Sequence, residues 1–158
     1  MSKRRILFAS WYTDLGGGET DLLSLAESLD PNRYDPHLLL PADGQLGERW
    51  RDAGWQTHLI PFRGATTYFV PQIWERFPVV NKFADLIRQE KIDLVHSDYH
   101  TLPMIVPATR RANVPMMWTV HGWWFKPKLW QRGFFRGIDT AVARSQAIRD
   151  GFLGSPPF

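Results

Sequence analysis

The amino-acid sequence predicts an α/β protein, a doubly wound and mostly parallel sheet with helices on both faces, and three observations carry that expectation. Short apolar runs alternate with segments of helical period along nearly the whole chain. The first and fifth runs read as strands buried on both sides, as a sheet covered by two helix layers requires. A run of three glycines, Gly16-Gly17-Gly18, lies between the first strand and the first helix, the place where such folds hold anions.

Arg5 to Ser10 forms the first expected strand, and Leu22, Leu23, Leu25, Ala26 and Leu29 recur at helical spacing after the glycines. Pro31-Asn32-Arg33 breaks that helix, and Tyr34 to Leu40 supplies a second strand ending at Pro41. A short helix from Leu46 to Ala53 follows, with Gly54 as its C-terminal stop, then a third strand from Trp55 to Ile60. From Pro61 to Lys82 the aromatics Phe62, Tyr68, Phe69, Trp74 and Phe77 mix with three prolines and show no sustained period. This stretch reads as a long loop with a broken helix, either functional or serving only to cap the core.

Phe83, Leu86 and Ile87 mark a helix that ends near Lys91, and Ile92 to His96 a fourth strand. Thr101 to Ala112 reads as a helix that Pro107 should kink or shorten, with Tyr99 to Pro103 in a loop. Val114 to Val120 is a fifth strand, leading into His121-Gly122-Trp123-Trp124-Phe125. Lys126 to Arg136 is a basic, aromatic helix stopped by Gly137, and Ile138 to Ala143 a sixth strand. Ser145 caps a last helix that Gly151 and Gly154 end, before the linker-like Gly154-Ser155-Pro156-Pro157-Phe158.

Composition narrows the function. The chain of 158 residues fits one domain, residues 1–153, with 154–158 as the start of a linker. It has no cysteine, so neither a disulfide framework nor a thiolate metal site is available. The net charge of +3 is mild and the basic residues are scattered, which argues against nucleic acid as a partner. No apolar run is long enough to span a bilayer and no signal-peptide core precedes the first strand, so a cytoplasmic location is expected.

The glycine run suits a diphosphate, because glycine lets backbone approach a ligand while the unpaired N–H groups of the next helix face it. A plain turn is the alternative, since neither GxGxxG nor a P-loop is present. Glu19 complements the helix dipole, and beside a phosphate it would repel unless it points away. His96, Asp98 and His100 alternate in the manner of metal ligands, but the expected loop from Tyr99 onward breaks their common face, and no metal is expected.

The order of motifs resembles the amino-terminal, acceptor-side domain of a GT-B glycosyltransferase of the retaining, family-four type. The matching marks are Gly16-Gly17-Gly18-Glu19, Asp93-Leu94-Val95-His96, Val114-Pro115, Thr119-Val120-His121-Gly122, Ala143-Arg144-Ser145 and Ile148-Arg149-Asp150, over roughly Arg4 to Leu153. The resemblance implies a Rossmann-like lobe that works with a carboxyl-terminal donor lobe expected beyond Phe158, so that residues 1–158 alone would be inactive. It implies a nucleotide sugar as donor substrate, no further cofactor, and a carbohydrate or lipid-linked acceptor. It places Gly16, Gly17 and Gly18 at the donor diphosphate, His121 beside the transferring sugar, and Tyr68, Asp98, Tyr99, Thr119, Trp123 and Arg144 on the acceptor side. Trp123, Trp124, Phe125 and Trp130 surround Lys126, Lys128, Arg132 and Arg136, a mixture suited to a sugar ring or to a membrane surface, or else to loop packing. A non-catalytic sugar- or phosphate-binding module and a nucleotide-sugar epimerase are the competing functions.

Overall fold

The computed structural model describes residues 2–64, 73–122 and 135–153. Six parallel strands form one sheet in the order β3-β2-β1-β4-β5-β6. They are β1 (Arg4–Ala9), β2 (Tyr34–Leu40), β3 (Gln56–Leu59), β4 (Leu94–Ser97), β5 (Met116–Val120) and β6 (Thr140–Ala143). Among the described residues the helices with both ends defined are α1 (Gly17–Glu27), α2 (Gln45–Asp52), α3 (Ile73–Gln89), α4 (Leu102–Ala112) and α5 (Gln146–Leu153). Strand order reverses direction at β1, which opens a crevice between β1 and β4 at their carboxyl ends.

Alternation along the strands divides the core in two. Ile6, Phe8, Leu38 and Leu40 point to one face, where Leu22 and Ala26 of α1 and Leu46 and Trp50 of α2 cover them. Leu7, Ala9, Leu39, Val95, Met116, Trp118 and Val120 point to the other, against Val80, Phe83, Ala84 and Ile87 of α3 and Leu102, Ile105 and Ala108 of α4. Leu25, expected in the apolar stripe of α1, is instead 39% exposed.

Two aspartates set the register by the same device. Asp93 donates its backbone N–H to Arg5 O (2.8 Å) and its carboxylate accepts the N–H of Arg5 (2.8 Å). Asp139 repeats this with Met116, donating to its carbonyl at 3.1 Å and accepting its N–H at 2.8 Å. The Arg5 N–H, followed by Arg4, holds the Asp93 carboxyl below its usual pKa.

Three local expectations are corrected. The chain does not stay irregular to Lys82: α3 begins at Ile73 and carries Pro78 inside it. Proline in a helix interior costs about 3 kcal/mol, and the buried stripe Val80-Phe83-Ala84-Ile87 outweighs it. For the same reason α4 runs from Leu102 through Pro107 to Ala112, so Leu102 and Pro103 are helical rather than loop. It ends on Asn113 at φ 56°, a left-handed cap that asparagine tolerates. Gly151 does not end α5, which continues to Leu153. Gly54, at φ +81°, is a stop, as expected. The expected helix from Lys126 and the linker from Gly154 lie outside the described residues, apart from Phe135 and Arg136.

Trp50 is fully buried, with its ring 5.4 Å from Phe8 and 4.9 Å from Trp55. Trp50→Ala should lower unfolding free energy by about 3–5 kcal/mol, whereas Val142→Ala on the exposed edge strand should change it by less than about 0.5 kcal/mol. Urea denaturation of the two variants checks the contrast.

Candidate functional site

A cavity of about 540 Å³ opens at the carboxyl ends of β1, β4 and β5, against the first turns of α1. Gly17, Gly18, His96, Asp98, His121 and Arg144 all line it. Gly16 is the N-cap of α1, Gly17 and Gly18 its first two residues, and the first backbone helical bond closes from Thr20 N–H to Gly16 O at 3.0 Å. The amides of the first turn therefore have no acceptor within the helix.

None of these three glycines has a positive φ. Their use is closeness: a Cβ on Gly18 would lie 3.8 Å from His121 Cε1, and one on Gly17 would face open space. Glycine loop and imidazole thus meet at one rim. Glu19 turns back, its carboxylate accepting the Gly16 N–H at 3.2 Å. That contact occupies one amide of the expected cradle and leaves Gly17 and Gly18 as the pair that faces the cavity.

Asp98 lines the cavity with a carboxylate already engaged by the scaffold. It accepts Trp11 N–H at 3.0 Å and the Ser10 hydroxyl at 3.4 Å on one oxygen. The other oxygen accepts Thr101 N–H at 2.8 Å and the Thr101 hydroxyl at 2.9 Å. It binds the loop after β1 to the start of α4. Thr119 lines the cavity too, its hydroxyl 2.7 Å from His96 Nε2. Tyr99 lines the wall; Tyr68 and Trp123 lie outside the described residues.

His96 forms part of the floor, with its ring 5.2 Å from that of Phe8. Burial, reinforced by His121, lowers its pKa to about 4. His121 follows directly on β5 and is half-buried; burial first, then the Arg144 cation, lowers its pKa below 6.5, against Asp21, Asp98 and Glu19. Both imidazoles are neutral at pH 7. Arg144 forms an ion pair with Asp21 of α1, joining the end of β6 to the helix that carries the glycines.

The alternating trio His96, Asp98 and His100 divides its contacts: Thr119 for His96, the β1 and α4 ends for Asp98, and Tyr12 for His100. Sequence reasoning passed over Tyr12, Asp21 and Ser10, which line the cavity. Tyr12 OH lies 3.1 Å from His100 Nε2, and the Trp11 ring 5.2 Å from that of His100. The available signal was the pair Trp11-Tyr12 placed immediately before the glycine loop.

Parallel order, the crevice at the strand reversal and a helix N-terminus facing an imidazole define a Rossmann-like lobe of the GT-B type. The profile of Glycosyltransferase Family 4 matches residues 15–154, and the chain belongs to that family. No curated protein matches the chain. Among solved structures it is similar to Anabaena HepE in complex with UDP and glucose, at 19% identity and TM-score 0.70, over 97% of this chain and 41% of that one. It is also similar to a glycosyltransferase from Rickettsia africae, at 17% identity and TM-score 0.75, covering 97% and 40%. A UDP-N-acetylglucosamine 2-epimerase, described as putative, from Listeria monocytogenes shares the fold at 14% identity and TM-score 0.63, covering 98% and 43%. The chain spans about two fifths of the length of these structures. Among the described residues no helix is long and apolar enough to cross a membrane.

The His96 shift fixes a pH dependence. Between its ordinary 6.5 and about 4 the unfolded chain takes up a proton that the folded chain refuses. This contribution, on the order of 3 kcal/mol, is complete above the unfolded pKa and lost as pH falls toward the folded one. Urea unfolding at a series of pH values should show a steeper decline in wild type than in His96→Gln.

Proposed function

We propose that the chain is the acceptor-side lobe of a two-lobed glycosyltransferase that moves a sugar from a nucleoside-diphosphate donor to a carbohydrate or lipid-linked acceptor. The observation that carries this is the meeting of the Gly17-Gly18 amides and His121 at one open cavity. As the bond between the anomeric carbon and the diphosphate oxygen breaks, negative charge gathers on the leaving group. Fixed N–H dipoles at the start of α1 stabilise that charge without reorganising. A neutral His121 offers one nitrogen as donor and one as acceptor to a sugar hydroxyl or to the acceptor.

Asp98 and Thr119 act in this proposal as supports of the acceptor wall, since both are engaged in internal hydrogen bonds. Arg144, ion-paired with Asp21, ties the end of β6 to α1 on the acceptor side of the cavity. Family membership and the UDP and glucose bound by the similar HepE structure support a nucleotide sugar as partner. The likeness to an epimerase supports a second reading, nucleotide-sugar conversion without an acceptor.

The test uses the complete protein with its donor-side lobe and a panel of activated sugars, read by product mass. Transfer to an added acceptor is expected; sugar conversion without an acceptor selects the epimerase reading, and neither product overturns the enzyme assignment. His121→Ala should lower kcat by about 10²-fold or more while leaving the unfolding midpoint near wild type. Gly17→Asp sets a carboxylate at the helix start and should raise the donor KM severalfold while leaving the acceptor KM unchanged.

A further inference from the structure

On the opposite side of β1 from β4, away from the cavity, β2 and β3 bring together a second set of polar groups. His37 is buried at 2% exposure, and its Nδ1 lies 3.0 Å from Nε2 of His58 on the neighbouring strand. The rings lie end to end through this contact, with centroids 5.3 Å apart and planes 12° from parallel. Glu90, just past the end of α3, completes the group: one ligand atom from each of His37, His58 and Glu90 lies within 4.8 Å of the other two.

The second contact of His37 decides what this cluster can do. Its Nε2 lies 3.4 Å from the Asp35 carboxylate, which Arg5 also approaches at 3.6 Å. A carboxylate accepts only, so Nε2 carries the proton and Nδ1 presents a lone pair toward His58. A carboxylate behind a histidine is the arrangement that orients imidazoles at metal centres. Two ring nitrogens about 3 Å apart with a carboxylate alongside supply the nitrogen and oxygen donors that zinc accepts, at bond lengths of about 2.0–2.2 Å.

We propose that His37, His58 and Glu90 bind one divalent transition-metal ion, zinc by preference, with water as the remaining ligand. The ion joins the short outer strand β3 to β2 and to the end of α3, so its role is structural. To become a ligand His58 shifts its proton from Nε2 to Nδ1 and turns its ring so that the two nitrogens converge on the ion instead of facing each other, with no acid released. Calcium and magnesium fit poorly, because two of the three donors are nitrogens.

The experiment is a zinc titration of metal-free protein against a chromophoric chelator, followed by X-ray absorption of the zinc-loaded sample. One ion per chain is expected, bound at micromolar Kd or tighter, with two nitrogen neighbours and at least one oxygen. His58→Gln and Glu90→Gln should each weaken binding at least tenfold, and Asp35→Asn about tenfold or more. These three residues are partly exposed, so the variants avoid the buried His37, whose replacement endangers the fold. Zinc should raise the thermal midpoint of wild type and not that of His58→Gln. Absence of stoichiometric uptake, or equal uptake by wild type and His58→Gln, overturns the proposal and leaves His37 and His58 as a hydrogen-bonded pair. Transfer activity does not enter the readout, so the outcome is independent of the function assigned to the cavity.

Discussion

The carboxylate of Asp98 is the constraint on which the cavity depends. It closes hydrogen bonds to two segments far apart in sequence: Ser10 and Trp11 at the end of β1, and Thr101 at the start of α4. Both segments lie at the crevice where strand order reverses, just beyond the last β1–β4 pair, Ala9 with Ser97. A charged acceptor with several donors makes bonds stronger than neutral ones. The loop after β1 is tied further by Leu46 N–H to Thr13 O at 2.9 Å and by Gly64, where a Cβ would collide with the Trp11 ring. The glycines of α1 are thereby presented on a fixed base.

Electrostatics around that base are mixed, since Glu19, Asp21 and Asp98 line the cavity together with Arg144. Burial keeps His96 and His121 uncharged, so the cavity floor offers oriented dipoles instead of titrating cations. Positive potential comes from the helix start and from Arg144, whose pairing with Asp21 restrains it. Tyr12 keeps its phenol proton, its pKa raised by burial and then by Asp98 and Glu19. Tyr12 at 44% exposure and Leu25 at 39% add apolar surface at the cavity mouth, beside the polar lining.

The strands were legible because their signal is local: an apolar run bounded by turn residues, as at Tyr34 to Leu40, where the expected and observed limits coincide. The helix boundaries that failed lie where two local signals conflict. Pro78 and Pro107 each forbid one backbone bond, and the chain tolerates them because the helices α3 and α4 bury their apolar stripes against the sheet and each other. Propensity loses where burial of several large side chains outweighs a single proline. The glycines that line the cavity were marked by their place between strand and helix and His121 by a family resemblance, whereas the internal bonding of Asp98 and Thr119 was not legible, since Trp11 and His96 approach them only through the parallel sheet.

The association of a glycine-rich helix start with the residue after the fifth strand was implied by a family resemblance; by itself the sequence determined the doubly wound class and the succession of strands and helices. Those properties follow from periodicity and backbone chemistry, which act within a few residues. Tertiary structure alone decided which side chains remain available in the cavity, that both imidazoles stay neutral, and that His37, His58 and Glu90 converge. Hydrogen-bond consumption, desolvation and ligand convergence all depend on residues 20 to 90 positions apart meeting across parallel strands, and no local pattern encodes such meetings.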